Sequence, residues 1–394
     1  MSGSFVRLAS IAAPKGLQTG PFGSQLKAEE YVEFGVPVVM PKDIYAGKIV
    51  ADGIARVPEN IAKKLAKHRV VTGDILFPRR GDLGRIGVVT QENKGWLCGT
   101  GCLRARLKEE VDINFIHQYV QLESVKRWLD SNALGQTMLN LNTEIIGNLP
   151  IFIVPKKEQT AIASLLSIWD FAIEKAERQL AVKGKRYSWL LSSLISNGKY
   201  LQGHIWDFVS EVSKRNSGAA IAQVLSVTNR NGFVLPEDQF ERQVASSDLS
   251  NYKVVTSGQY AYNPSRINVG SIARLDNWDV GVLSPMYVVF KLNETKVNSD
   301  FFLHWLKSHE AKQRIRKSAQ GSVRETVSFT DLRAIPFPLP SIDQQKQIAA
   351  ILNTAQQEID LLKKQAEAYR RQKRGLMQKL LTGEWRVKTG KEAV

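Results

Sequence analysis

The chain is poor in the residue types from which reactive centres are usually assembled. It has two cysteines and five histidines among 394 residues. Two thiols cannot by themselves complete a tetrahedral zinc site. Cys98 and Cys102 lie in a glycine-containing, strand-like stretch, Trp96-Leu-Cys-Gly-Thr-Gly-Cys-Leu-Arg, with no histidine beside them. They read as small buried side chains in a reducing compartment. The histidines are scattered singly, so no acid–base pair has support. A Walker lysine loop is missing, because Gly390-Lys391 has no glycine five residues upstream, and no carboxylate cluster of nuclease type occurs. No apolar run approaches bilayer length, and Met1-Ser-Gly-Ser-Phe-Val-Arg-Leu lacks a signal-peptide core, so a cytoplasmic protein without membrane contact is predicted. Neither metal nor cofactor is expected.

Negative charge is also scarce relative to positive. Lysine and arginine number 54 against 38 aspartates and glutamates, a formal net charge of +16. The excess is +4 over residues 1–154, +4 over 155–200, +3 over 201–340 and +5 over 341–394. A basic tail would give only a local grip, whereas an even excess suits a body that follows a polyanion along its length. With 43% apolar residues the chain has material for two or three cored domains.

Pro150 to Gly198 occurs twice. A shift of 186 positions puts Pro150 on Pro336, Gln159 on Gln345, Ile162 on Ile348, Leu166 on Leu352, Ile173 on Ile359, Leu190 on Leu376 and Leu194 on Leu380 without a gap. In the second copy Ile348, Leu352, Ala355, Ile359, Leu362, Ala366, Tyr369, Lys373, Leu376 and Leu380 alternate spacings of four and three, the seam of a coiled coil. The first copy matches with Ile162, Leu166, Trp169, Ile173, Ala176, Leu180, Lys183, Tyr187, Leu190 and Leu194. Each copy predicts one long amphipathic helix, and the two are each other's obvious partners in an antiparallel, pseudo-two-fold pair. A register with Ile162 opposite Leu380 sets Tyr187 near Ala355 and Trp169 near Lys373.

The repeat extends upstream, with Pro78 on Pro264, Arg80 on Arg266, Gly84 on Gly270, Ile86 on Ile272, Ile116 on Phe302 and Gly135 on Gly321. Short strands are predicted at Val36–Met40, Asp74–Pro78, Arg85–Thr90 and Cys102–Leu107, and a helix over Asn114–Ala133 capped by Asp112 or Asn114. The second copy predicts strands at Tyr260–Asn263, Gly270–Leu275 and Met286–Leu292 and a helix from about Asp300 to Lys317. The fold class is α+β, two repeated α+β domains separated by two long antiparallel coiled-coil helices. The predicted boundaries are 1–154, helix 155–198, 199–340, helix 341–384 and tail 385–394. Proline-bearing connectors, Leu149-Pro-Ile-Phe-Ile-Val-Pro and Ile335-Pro-Phe-Pro-Leu-Pro-Ser, read as stiff links.

Polar loops stand out on these basic domains. Phe77-Pro-Arg-Arg-Gly-Asp-Leu-Gly-Arg gathers Arg79, Arg80 and Arg85 around a glycine turn, and its mate Asn263-Pro-Ser-Arg-Ile-Asn-Val-Gly holds Arg266 and Asn268. A second pair carries Gln136 and Asn140 in one copy and Gln320, Ser322 and Arg324 in the other, and Gln25 and Lys27 lie near the start. Arginine can grip a guanine edge and glutamine or asparagine an adenine edge. Hydroxyls and backbone amides near glycine suit phosphates, and for any one of these residues a solvated turn or a phosphate contact fits as well as a base contact. Tyr262-Asn-Pro-Ser invites comparison with the Asn-Pro-Pro-aromatic loop of amino-methyltransferases, but Ser265 and Arg266 replace the second proline and the aromatic. The stretch reads as a strand-ending turn.

Three motifs carry a resemblance to a family. Gly20-Pro-Phe-Gly-Ser-Gln-Leu-Lys stands near the start, Glu158-Gln159 and Gln344-Gln345 follow the connectors, and the chain ends in Leu376-Met-Gln-Lys-Leu-Leu-Thr-Gly-Glu-Trp-Arg-Val. Over nearly its whole length the chain resembles the specificity (S) subunit of type I restriction-modification systems. The resemblance implies a non-catalytic subunit of a DNA methyltransferase/endonuclease complex. In it, each target-recognition domain reads one half of a split site on double-stranded DNA, and the helices set the spacer and dock methyltransferase (M) subunits, two in number. Restriction (R) subunits would join through the complex. The first helix departs by ending Leu194-Ile-Ser-Asn-Gly. Helices of roughly 35 residues span on the order of 50 Å, enough to address half-sites about one duplex turn apart. Basic faces at Lys183–Arg186 and Arg370–Arg374 suit phosphates. A DNA-modifying enzyme and a coiled-coil scaffold without specificity are the competing readings.

Overall fold

A computed structural model describes residues 3–45, 47–135, 139–238, 248–319 and 326–388. The chain forms two compact units. One runs to Lys175 and takes up the chain again from Gln365; the other is Ala176–Lys364.

In the first unit a four-stranded antiparallel sheet has the order Ala12–Thr19, Cys102–Leu107, Ile75–Pro78, Gly87–Val88. Its buried face, with Ile75, Phe77, Leu103 and Ala105, packs on Phe115, Ile116, Tyr119 and Leu129 from two helices, Ile113–Val120 and Glu123–Asn132. The second unit repeats the order with Val209–Glu211, Val288–Leu292, Tyr260–Tyr262 and Ile272–Arg274. Its core is richer in aromatic rings than the first. Phe302, the mate of Ile116, meets the ring of Tyr260 edge-on at 5.2 Å.

The predicted helix over 114–133 is broken at Leu122, whose backbone is extended (φ −63°, ψ 139°) and whose side chain enters the core. The break turns Val125 and Leu129 toward the core that Phe115 and Tyr119 already fill. The helix over 300–317 is likewise two, Ser299–Lys307 and His309–Ala319. There the Ser308 hydroxyl accepts the Ala311 N–H at 3.1 Å, a cap that competes with continuing the helix. Asp112, not Asn114, caps the first helix, taking the Phe115 N–H at 3.1 Å. The predicted strand Arg85–Thr90 shortens to Gly87–Val88.

The connectors are strands. Pro150–Ile153 pairs antiparallel with Ser4–Arg7, and Pro336–Pro338 with Gln202–His204, so each connector closes its domain on that domain's first strand. Proline is tolerated because these are two-stranded ribbons with an open edge.

The long helices are Lys156–Leu191 and Ile342–Leu381. In the first unit Ile162 and Leu166 pack with Met377, Leu380 and Leu381, with Leu376 half-buried beside them, and the Trp169 ring lies 5.9 Å from that of Tyr369. In the second unit Tyr187 packs with Ile348, Leu352 and Ile359, and Lys183 pairs with Glu358 at 2.6 Å. Within each unit the segments therefore run antiparallel. Two seam details differ from expectation. Lys373 lies not over Trp169 but against Asp170, at 2.6 Å, where an ammonium gains a full charge partner. At the end of the first helix Leu191 and Ile195 are buried, while Leu190 and Leu194 are half-buried. A straight helix drifts off a seven-residue repeat, and Ser192–Ser196 is a π turn that shifts the face further. Ile173 is half-buried.

The ending motif locks the second helix. Gly383 has φ +80° and lies against Phe152; a Cβ there would fall 2.3 Å from that ring. Beyond it Arg386 donates through Nε to Glu158 at 2.7 Å, and the Val387 N–H donates to the same oxygen. The Arg386 hydrogen bond holds the Glu158 carboxyl below its usual range. Cys98 and Cys102 are buried free thiols, and burial pushes Cys98 up to about 12.

Candidate nucleic-acid interface

In the first unit the interior strand Ile75–Pro78 delivers Arg79 and Arg80 to the end of the sheet. Arg79 is held on three sides: its N–H donates to Gly101 at 2.7 Å, its carbonyl accepts from Leu141 at 2.9 Å, and its guanidinium lies 5.7 Å from the Phe22 ring centroid. That cation–π contact ties the Gly20–Lys27 loop to the arginine loop. Arg80 is exposed, and its backbone bridges Asn140, whose own N–H and carbonyl pair with Leu134. The Asn140 Oδ1 is buried without a partner in the structure. Arg79, Arg80 and Asn140 are thus brought together.

Other predicted residues are diverted. Arg85 pairs with Asp82 at 3.5 Å, both groups exposed, a contact worth little to stability. The Gln25 Oε1 accepts the Phe22 N–H at 3.3 Å, and Lys27 approaches Glu29 at 3.8 Å, so both side chains shape their own loop. Gln136, Gln320, Ser322 and Arg324 lie outside the described residues. Phe22 was not among the candidates. The signal in the sequence was an aromatic between Pro21 and Gly23, a place where an aromatic is left half exposed.

In the second unit the Asn263 Oδ1 accepts the Ser265 N–H at 3.0 Å, an Asx turn in which that oxygen is committed to its own backbone. Arg266 follows with its N–H on the Asn263 carbonyl at 3.0 Å and its side chain exposed. The carbonyl of Asn268 accepts from Arg316 Nε at 3.5 Å. Val327 N–H donates to the Pro264 carbonyl at 3.1 Å, as Leu141 does to Arg79 in the first unit.

Each recognition domain is keyed to its helices by a polar junction. In the second unit His304 has Tyr187 OH 2.8 Å from Nδ1 and Asn353 Oδ1 2.7 Å from Nε2. The Asn353 Nδ2 donates to Asp300, which also accepts from Arg274. Since Oδ1 only accepts, the proton sits on Nε2 and Tyr187 donates to Nδ1. In the first unit Gln118, matched to His304, donates to Asp170 at 2.7 Å, and Lys373, matched to Tyr187, completes the cluster. Burial lowers the His304 pKa below 6.5, and His68 and His117 are lowered likewise. A base with a depressed folded pKa contributes stability above its unfolded value and loses it as pH falls. Thermal midpoints should therefore drop between about pH 7.5 and about pH 5.5. His304→Gln, the side chain of the matched position, should shrink that drop; an unchanged drop would show that His304 is not the group being charged.

The type I restriction modification DNA specificity domain family matches residues 23–183 and 249–368. The type I restriction enzyme MjaVIII specificity subunit of Methanocaldococcus jannaschii is 22% identical over 422 residues, covering 98% of this chain and 96% of that one. In fold, the S subunit of a type I restriction-modification system from M. genitalium aligns over 97% of this chain and 96% of its own, with a TM-score of 0.63 at 15% identity. A chain from a structure of the type I R-M system, described for complex assembly and conformational transition, aligns over 98% of both chains with a TM-score of 0.57 at 15% identity. The motifs, the doubled sheet order and a family match over most of the length agree, and the chain belongs to the family of type I restriction-modification DNA specificity subunits.

Proposed function

We propose that the chain is the DNA-reading, non-catalytic subunit of its complex, with each domain recognising one half of a bipartite site on double-stranded DNA and the helices fixing the spacer. The observation that carries this reading is the duplication. Two sheets of the same strand order, each closed by its own connector strand, present separate loops with an exposed arginine, Arg80 in one and Arg266 in the other. Helix faces supply docking surfaces for methyltransferase subunits, through which restriction subunits join. Leu165, Ile168 and Phe171 form an exposed apolar stripe, the last two 64% and 69% exposed, and Ile351, matched to Leu165, is exposed on the second helix. Thr354 and Gln357 stand at the mates of Ile168 and Phe171, so the two helices offer unlike surfaces to the two docked subunits.

Replacing residues 1–150 by the equivalent domain of another family member is the direct test. Sequencing of methylated DNA should show one half of the site changed, the other half and the spacer retained, and methyltransferase subunits still recruited, since the stripe lies outside the exchanged stretch. A change in both halves would sink the modular reading. On the arginines, Arg80→Ala or Arg266→Ala should cost about 1–3 kcal/mol on the specific duplex and much less on random DNA if the guanidinium reads a base edge. Equal weakening on both, with the salt slope reduced by about one, would reassign them to phosphates.

A further inference from the structure

The turn carrying Arg266 in the second unit stands between two cavities of different chemistry. One, of about 400 Å³, is walled by Asn263, Arg266, Ser226, Ser284, Met286 and Tyr287. No carboxylate lines it among the described residues. Ser226 Oγ and Tyr287 OH lie 3.1 Å apart inside it, and Met286 and Val269, each 59% exposed, put apolar surface at its edge. The other, of about 510 Å³, is walled on the far side of the turn by Arg230, Lys307, Lys312 and Arg316. Its one carboxylate among the described residues, Asp276, is taken by Arg274 at 2.6 Å. Arg230, Lys307 and Lys312 have no ion-pair partner among the described residues, and Arg316 touches only the backbone of Asn268.

Cations that outnumber the carboxylates around a concavity repel one another, so such a site is stabilised by an anion. The first cavity, with one arginine, hydroxyls and amides in its wall and an apolar lip, offers the groups that read a base edge, and an apolar side chain discriminates thymine through its C5 methyl group. Resting on the DNA-reading function proposed above, we infer that the second domain divides the duplex across this turn. The cavity with Arg230 and Lys312 takes backbone phosphates. The cavity with Ser226, Ser284 and Tyr287 takes base edges, with Met286 and Val269 against a thymine methyl group.

The test uses the full chain assembled with its methyltransferase subunits. The probes are a duplex bearing the site read from methylated genomic DNA, the same duplex with uracil for thymine in the half-site of the second domain, and a random duplex. The double substitution Arg230→Gln/Lys312→Gln should weaken specific and random duplexes alike and reduce the salt slope by about two. Wild type should bind the uracil duplex roughly fourfold less well, the value of one methyl group, and Met286→Ala should bind both forms equally. Thermal midpoints of the variants control for folding, as all three side chains are exposed. An unaltered salt slope, or a Met286→Ala complex that still distinguishes thymine from uracil, overturns the assignment. If wild type fails to separate specific from random DNA, the DNA-reading function itself falls and takes the assignment with it. If wild type separates them and the variants change nothing, only the cavities are misassigned.

Discussion

Truncating Leu352 to alanine should lower stability by about 2–5 kcal/mol, and Leu166→Ala by a comparable amount. Both side chains are fully buried, although each sits on a helix that is otherwise largely solvated. Leu166 fills the space between its own domain and the returning helix at Met377 and Leu380. Leu352 does the same against Tyr187 and Leu191. Each truncation therefore removes contacts to a domain and to a partner helix at once, leaving little room for collapse. Denaturant unfolding with domain-specific probes should place the Leu166 effect in the first unit and the Leu352 effect in the second. Losses within error for both would mean that these seams are not core in the isolated chain.

Arg106→Met should be at least as damaging, about 3–5 kcal/mol, because it abandons a buried charge. The Asp74 side chain is fully buried, and both oxygens are held by Arg106, at 2.7 and 2.8 Å, with the Val71 N–H at 2.8 Å on one of them. Asp74 opens the strand that delivers Arg79 and Arg80, so DNA binding through the first domain should fall along with stability. The second copy shows what the turn itself requires. There Gln259 accepts the Thr256 N–H at 3.0 Å, and a neutral amide suffices. Asp74→Asn combined with Arg106→Met should accordingly recover part of the loss in chemical denaturation. A double variant no better than the single one would show that the ion pair, rather than the turn, holds the strand.

The helices were legible because a buried seam restricts residue type every third or fourth position, and such positions survive divergence in matched pairs such as Leu166 and Leu352. The sheets were less so. At the 186-residue shift Leu103 and Phe77 fall on Val289 and Asn263, but the pair that corresponds to them in the second sheet is Val288 with Tyr262, one residue earlier on both strands. An offset of one turns a strand residue to the other face, and Val289 accordingly lies in the small cluster with Ala261, whereas Leu103 lies in the main core. The helix breaks at Leu122 and Ser308 were hidden because the apolar spacing continues through them. Around the arginine-bearing loops, neighbours in sequence such as Arg79, Arg80 and Arg85 could be gathered by reading. The approach of Phe22 to Arg79, and cavity walls drawn from Ser226, Asn263 and Ser284, depend on distant segments meeting in space.

The polar junctions bear on how a duplicated chain keeps its halves distinct. Lys373 serves Asp170 in one junction, while Tyr187, at the matched place on the other helix, serves His304. Were the second copy paired with a duplicate of itself, an ammonium would stand where the phenol now donates to a buried imidazole, and that imidazole would face a charge it is too desolvated to welcome. Were the first copy so paired, Asp170 would lose its cation. Divergence at two matched positions has thus made each half the better complement of the other than of its own kind.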